Sequence, residues 1–411
     1  MTEEVPSAAI DVSTPAIVLG IDTQIGLWLV RELGRAGVAV HGVTSDPDSI
    51  GLRSRYLTRG HVLPGNEPEL MAGLAALGRT LGKTYLLAIS EPHLEMINRH
   101  RKTLGELEAL TPAESHLSAV LDKATTLALA RDCGIEVPRT WTITSMGEEI
   151  VPEARFPIVL KWSDPNRVYA LLREHGLPLH KAEFVATKAE LHAALTRYRI
   201  IGQFPMIQEY VPGHGLGQCV FMHQGKAIRM FQHHRLREWP PEGGFSTACE
   251  AVPLTQHRDL MNRSIELLRR IDWEGVAMVE YRFDPRTGRA VLMEINGRFW
   301  GSIPLACHCG AKFALLTYAV LGNGHVPALP PPRSDLICRM ATTELKRLVR
   351  VILQPAKIAD PTFRRRPVRE LWNFVAGFFS PRTRYYIYSA DDPKPFWQDL
   401  RNALTMRVLR R

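Results

Sequence analysis

Val279-Glu280-Tyr281-Arg282-Phe283-Asp284, followed by Pro285-Arg286-Thr287-Gly288 and then by Leu292-Met293-Glu294-Ile295-Asn296-Gly297-Arg298-Phe299-Trp300-Gly301-Ser302, is the stretch that decides the fold. Its Pro and Gly mark a tight turn, so the alternating segments on either side read as a β-hairpin. Centred on Thr287, the hairpin sets Glu280 directly opposite Glu294. Side chains two apart on a strand share a face, so Asn296 and Arg298 join both carboxylates there. Like charges facing each other across strands destabilise a sheet unless something positive lies between them. Two carboxylates and an amide oxygen are ligands that Mg²⁺ takes when it also holds substrate phosphates, which makes Glu280, Glu294 and Asn296 the candidate metal ligands of a nucleotide site. The alternative is a solvated hairpin whose glutamates pair with Arg282 and Arg298. The Phe-Trp-Gly-Ser and the apolar stretch that follow the polar face at once disfavour it.

Other apolar strand patterns lie upstream. Residues 156–162 run directly into Lys161, and a lysine closing an apolar strand must either snorkel or meet an anion. Residues 205–211 form the next buried strand, which stops at Pro212-Gly213. Gly213-His214-Gly215-Leu216-Gly217 leads into a strand where a phosphate loop needs a helix, so it reads as a hinge turn. A second hairpin spans residues 218–235 around His223-Gln224-Gly225-Lys226. Beyond it, Arg235-Leu236-Arg237 precedes Pro240-Pro241-Glu242-Gly243-Gly244. Cationic forks beside a glycine-rich turn suit an anionic substrate or a phosphoryl group in flight; a solvated basic turn is the alternative. Lys123 falls in a helical stretch, residues 117–133, where composition alone makes it a solvated residue. Near the start, residues 16–20, 25–35 and 38–44 read as a βαβ unit. Gly20 and Gly26 do not complete G-x-G-x-x-G, so a dinucleotide is not expected there.

Val279-Glu280-Tyr281 together with Glu294-Ile295-Asn296-Gly297-Arg298-Phe299-Trp300-Gly301-Ser302 resembles the ATP-grasp superfamily, most closely its bacterial carboxylate–amine ligase-like branch. Further matches follow in order over about residues 15–325. The resemblance implies a mixed α/β and α+β chain: a disordered start (1–14), a Rossmann-like domain (15–112), an ATP-grasp fold of two α+β subdomains (113–330), and a basic, aromatic-rich extension (331–411). It implies ATP and Mg²⁺ (or Mn²⁺), with Lys123 and Lys161 at the phosphates. Gln208, Glu209, Tyr210 and Val211 would form the adenine hinge, where a strand edge supplies a backbone donor and acceptor beside an apolar slot; a plain sheet strand is the other reading. Arg298, Arg235 and Arg237 would face the reacting groups. The implied reaction joins a small carboxylate to an amine, or a thiol, through an acyl phosphate. Carboxylase-type chemistry and a non-catalytic ATP-binding protein are its rivals. Two departures stand out: Ser163-Asp164-Pro165-Asn166-Arg167 replaces the usual glycine-rich phosphate loop, and Gly297 stands where relatives often have Pro.

Composition agrees with a water-soluble enzyme: 411 residues, 45% hydrophobic and 23% charged, are enough for two or three domains with a large core. Six scattered cysteines suggest a reducing cytoplasm rather than a disulfide framework. Cys307-His308-Cys309 is not read as a zinc site, because helix neighbours two apart diverge. The opening residues lack a basic end followed by an apolar stretch, so no secretion signal is expected. Residues 303–322 read as a buried helix interrupted by His308 and Lys312, not a membrane span. From Glu344 onward fifteen Lys and Arg stand against six Asp and Glu, an excess equal to the net charge of +9. Aromatic residues interleave with that tail's arginines between Phe363 and Trp397. Docking of the tail on the catalytic domain is the preferred reading, peripheral contact with an anionic membrane the alternative, and nucleic acid is not expected. Self-association is left open.

Overall fold

A computed structural model describes residues 10–143, 155–180, 182–241, 243–358, 360 and 363–409. Residues 1–9 of the expected disordered start lie outside them. Strands β1 (Ala16–Leu19), β2 (Val40–Thr44), β3 (Arg59–Val62), β4 (Thr84–Ala88) and β5 (Leu107–Ala109) form a parallel sheet in the order β3-β2-β1-β4-β5. β1 and β4 are buried along their whole length, as their unbroken apolar runs require of parallel strands covered on both faces. The expected βαβ unit is there, with its helix at Gln24–Arg35. A Cβ on Gly26 would lie 2.3 Å from the Gly20 carbonyl oxygen, so these glycines let the helix close onto the end of β1.

Strands β6 (Thr140–Trp141), β7 (Ile158–Lys161), β8 (Glu183–Val185) and β9 (Met206–Glu209) make an antiparallel sheet ordered β6-β9-β7-β8. Leu191, Ala194 and Leu195 of helix Lys188–Tyr198 pack on its Ile158, Leu160 and Ile207. The third sheet holds β10 (His214–His223), β11 (Lys226–Trp239), β12 (Phe245–Ala251), β13 (Gly275–Asp284), β14 (Arg289–Asn296), β15 (Ile337–Arg339) and β16 (Thr383–Tyr385), ordered β14-β13-β10-β11-β12-β15-β16. Gln224 and Gly225, both at positive φ, join β10 to β11 as a two-residue hairpin turn demands. One face of this sheet packs on helices Lys123–Asp132 and Arg258–Arg270, and the other on residues 299–320 and helix Gln24–Arg35.

Three sequence expectations change. The helix over 117–133 is broken at Asp122, whose extended backbone ends Glu114–Leu121 and whose carboxylate caps Ala124 and Thr125; Lys123 therefore opens a new helix. Only Gly213, at φ 114°, is a turn residue, because β10 begins at His214. Residues 303–322 are buried but not one helix: Ile303–His308 ends before Lys312, at φ 58°, and Phe313–Leu316 continues into a π-turn. No helix among the described residues is long and apolar enough to cross a membrane. All six cysteines are free, and His308 Nε2 lies 3.1 Å from the Tyr385 carbonyl rather than in a metal cluster.

The tail is part of the fold. A boundary at residue 330 would cut the third sheet, which β15 and β16 complete. Trp28 Nε1 donates to the Tyr386 carbonyl at 2.6 Å, and Arg31 pairs with Asp392 at 3.0 Å with both side chains buried. Removing one partner of a buried ion pair strands the other charge, so Asp392→Ala is expected to destabilise the whole chain by about 3–5 kcal/mol in denaturant unfolding, with the N-terminal sheet lost in the same transition.

Candidate functional site

The site is a cavity of about 260 Å³ lined by β7, β8 and β9 on one side and by β11, β13 and β14 on the other. Glu280 and Glu294 are directly paired across β13 and β14, as the sequence implies, but the hairpin does not reach that pairing symmetrically. Asp284 pairs with Arg289, one residue out of register with a turn centred on Thr287, and a bulge between Glu280 and Tyr281 restores the pairing by leaving Met293 as the extra residue. The bulge re-aims β14: Leu292 enters the core under the helices, Ile295 lies between that core and the cavity, and Met293, Glu294 and Asn296 line the cavity.

Repulsion between the carboxylates is answered by Arg235. Its Nη2 pairs with Glu280, and its Nη1 bonds Glu238 and the Gly244 carbonyl, each at 3.1 Å. Glu238 also accepts from Arg282 at 3.1 Å. Burial works against charge on Arg235, but the Glu280 and Glu238 carboxylates outweigh it and hold the guanidinium above its ordinary pKa. Burial likewise pushes Glu238 up, and Arg235 and Arg282 more than reverse it. The glycines of β10 make the room: a Cβ on Gly215 would meet the Arg235 side chain at 2.5 Å, and one on Gly217 the His233 ring at 2.4 Å.

The donor set fits a divalent cation. Glu280 and Asn296 are buried, Glu294 half-buried, and Asn296 Nδ2 lies 3.4 Å from Glu294 Oε1, turning the amide toward its neighbour. No group of three His, Cys, Asp or Glu among the described residues could hold a metal. Two carboxylates and one amide oxygen are a donor set of the kind Mg²⁺ takes when other oxygens complete its shell.

Lys161 and Lys123 line the same cavity; Lys161 Nζ lies 4.0 Å from Met293 Sδ and Lys123 Nζ 3.3 Å from the Ser163 carbonyl. Val159 and Phe184 on one side and Met293 and Ile295 on the other give the cavity an apolar part, beside Gln208, Glu209, Tyr210 and Val211. Glu209 is not a solvent-facing strand residue: Arg289 holds its carboxylate at 2.7 Å. Where a glycine-rich lid is usual, the helix Pro165–Glu174 follows Asp164. Arg298 lines the cavity while its Nε donates to Glu91 at 3.1 Å.

Arg237 is the exception. It is not among the cavity residues, and its guanidinium pairs with buried Glu344. Two register irregularities against β12, around Leu236 and before Glu238, turn it away from the face that Arg235 keeps. Sequence reasoning gave no role to Glu91, Glu238, Phe184 or Met293. The Ser90-Glu91-Pro92 helix start after the buried β4 was the available signal for Glu91.

No family model matches the sequence, nor does any curated protein. Solved structures do match in fold. The chain superposes on an L-amino acid ligase from Bacillus licheniformis over 80% of its own length and 79% of that chain, at 14% identity and a TM-score of 0.57. An N5-carboxyaminoimidazole synthetase from Staphylococcus aureus, complexed with ADP, matches at 11% identity over 79% and 80% of the chains with a TM-score of 0.59. A biotin carboxylase from Campylobacter jejuni, as a β,γ-ATP complex, matches at 13% identity over 79% and 75%, with a TM-score of 0.61. The chain shares its fold with these three structures.

Two predictions follow from this geometry. Lys161→Ala is expected to weaken ATP binding by roughly 1.5–3 kcal/mol in calorimetry, the worth of a charge-assisted hydrogen bond, with the melting temperature little changed. Burial, with Arg235 and His234 adding to it, pushes His233 down to about 3 from 6.5. The unfolded chain thus takes up this proton first as the pH falls. Stability is full above about 6.5 and is lost below it, by about 1.4 kcal/mol per pH unit. Melts at pH about 7 and about 5 should differ in that sense, and His233→Gln should flatten the difference.

Proposed function

We propose that this chain is an ATP-dependent ligase that joins a carboxylate to an amine, or to a thiol, through an acyl phosphate. The observation that carries the reading is one cavity in which the Glu280–Glu294–Asn296 oxygens, two lysines and an apolar slot between two sheets converge. Glu280, Glu294 and Asn296 would hold Mg²⁺ (or Mn²⁺), which when bound draws charge from the β- and γ-phosphates of ATP. Gln208 to Val211 would take the adenine edge. Lys161 and Lys123 would neutralise the phosphates, and Arg298 the charge on the oxygens in flight. The γ-phosphoryl passes to a carboxylate oxygen and ADP leaves. The amine nitrogen then attacks the acyl carbon, the carbon–oxygen bond to phosphate breaks, and the nitrogen sheds its proton. Arg235 acts through Glu280 and Glu238, as a positioning residue. Six free cysteines support a reducing cytoplasm as the place of work.

Likeness to biotin carboxylase keeps a second reading, carboxylation, in view. An ADP-release screen across amino acids and small carboxylates, with bicarbonate and biotin as separate arms, distinguishes them. Turnover with an acid and an amine and none with bicarbonate supports the ligase. Glu294→Gln and Asn296→Ala are each expected to lower Mg²⁺-dependent ADP release ~10²-fold or more while circular dichroism stays unchanged. Near-normal release in both overturns the metal assignment.

A further inference from the structure

Helix Pro367–Ala376 has its polarity inverted relative to a helix that packs on a core. Val368, Leu371, Trp372, Val375 and, one turn beyond, Phe379 recur at helical spacing on one face, and that face points to solvent: Val368 and Phe379 are 82% exposed and Trp372 70%. On the other face, polar and aromatic residues meet buried arginines, although Phe378 is itself 45% exposed. Glu370 takes a two-pronged bond from Arg347, at 2.7 and 3.1 Å, and Phe374 and Phe378 lie against the buried Arg339 guanidinium. Rings continue from Phe374 through Phe378, Tyr385, Tyr388 and Phe396 to Trp397, with centroids 5.2–6.2 Å apart, and Trp397 is again 61% exposed. Arg364, Arg366 and Arg369 stand exposed at the start of the same helix.

We propose that this face seats on the surface of an anionic phospholipid bilayer. Aliphatic and aromatic side chains would enter the headgroup boundary while the arginines meet lipid phosphates, the arrangement of a helix that lies in the interface without spanning it. Charge decides against a second copy of the chain, because a two-fold interface would set these arginines against themselves. The aliphatic members of the stripe, Val368, Leu371 and Val375, offer no surface for base stacking, which sets nucleic acid aside. The face is tied to the catalytic half: Arg339 also pairs with Glu344, which holds Arg237 on β11, the strand that carries Arg235. Bilayer contact would thus fix how the cavity stands relative to the surface. The inference does not depend on the ligase reading, since it concerns binding alone.

Co-sedimentation of the full chain with vesicles of phosphatidylcholine, alone and mixed with phosphatidylglycerol, tests it. Binding is expected only with phosphatidylglycerol and should weaken as salt rises. Replacing Arg364, Arg366 and Arg369 together by Gln should lower partitioning by about two orders of magnitude, from the worth of each surface charge. Trp372→Ser combined with Phe379→Ser should lower it about tenfold or more at unchanged circular dichroism and melting temperature, both side chains being exposed. No binding by the parent chain at low salt, or binding by the Ser variant equal to the parent's, overturns the proposal. A dimer in light scattering that the Ser variant dissolves would overturn it too, by assigning the face to a second copy.

Discussion

Two glutamates forced together across a hairpin set the problem that the rest of the site answers. Of these, Glu280 is met by buried Arg235, which also holds Glu238, and Arg282 closes the set from β13, so the Glu280 and Glu238 carboxylates meet two guanidiniums. Such a cluster is stable only when every member keeps its partners, because each charge left alone in the interior costs several kcal/mol. It therefore ties β11 to β13 across β10, which lies between them. Gly215 and Gly217 belong to the same constraint: any side chain there would displace Arg235 or His233. The structure thus holds an acidic wall facing a cavity, at the cost of two glycines in a central strand.

What could be read from the sequence was what repeats locally. Alternation gave the hairpin and its facing carboxylates, and an apolar run ending in a lysine gave β7. The turn register was not legible, because a bulge adds a residue without a compositional mark; the Glu280–Glu294 pairing holds only because the extra residue, Met293, offsets a turn shifted by one. The same blindness explains Arg235 and Arg237. Two residues apart on a regular strand they would share a face, but the irregularities of β11 against β12 send one to the cavity and the other to Glu344. Asp122 broke a helix that periodicity ran straight through, since a capping carboxylate outweighs the apolar pattern around it.

Long-range ties were invisible for a different reason. Arg31 and Asp392 are 361 residues apart, and nothing near either says that the other is its counter-ion. Glu91 reaches Arg298 across 207 residues and brings the N-terminal unit to the cavity. Both contacts join parts of the chain that a division by motif keeps separate, and the second places the junction of the N-terminal sheet and the third sheet beside the cavity.

The tail's charge shows how burial sorts residues that look alike in sequence. Arg339 and Arg347 are buried, and each has a carboxylate, Glu344 and Glu370 respectively, within ion-pair distance. Arg364 and Arg366 just before the helix, and Arg369 on it, stay exposed, while that helix's Glu370 is committed inward to Arg347. Among the described residues of the tail, buried Arg339 and Arg347 are thus paired, while Arg364, Arg366 and Arg369 keep their charge at the surface. A charge left beside an exposed apolar stripe is the ground for the proposed bilayer contact, whereas the same residue types turned inward are only part of the packing.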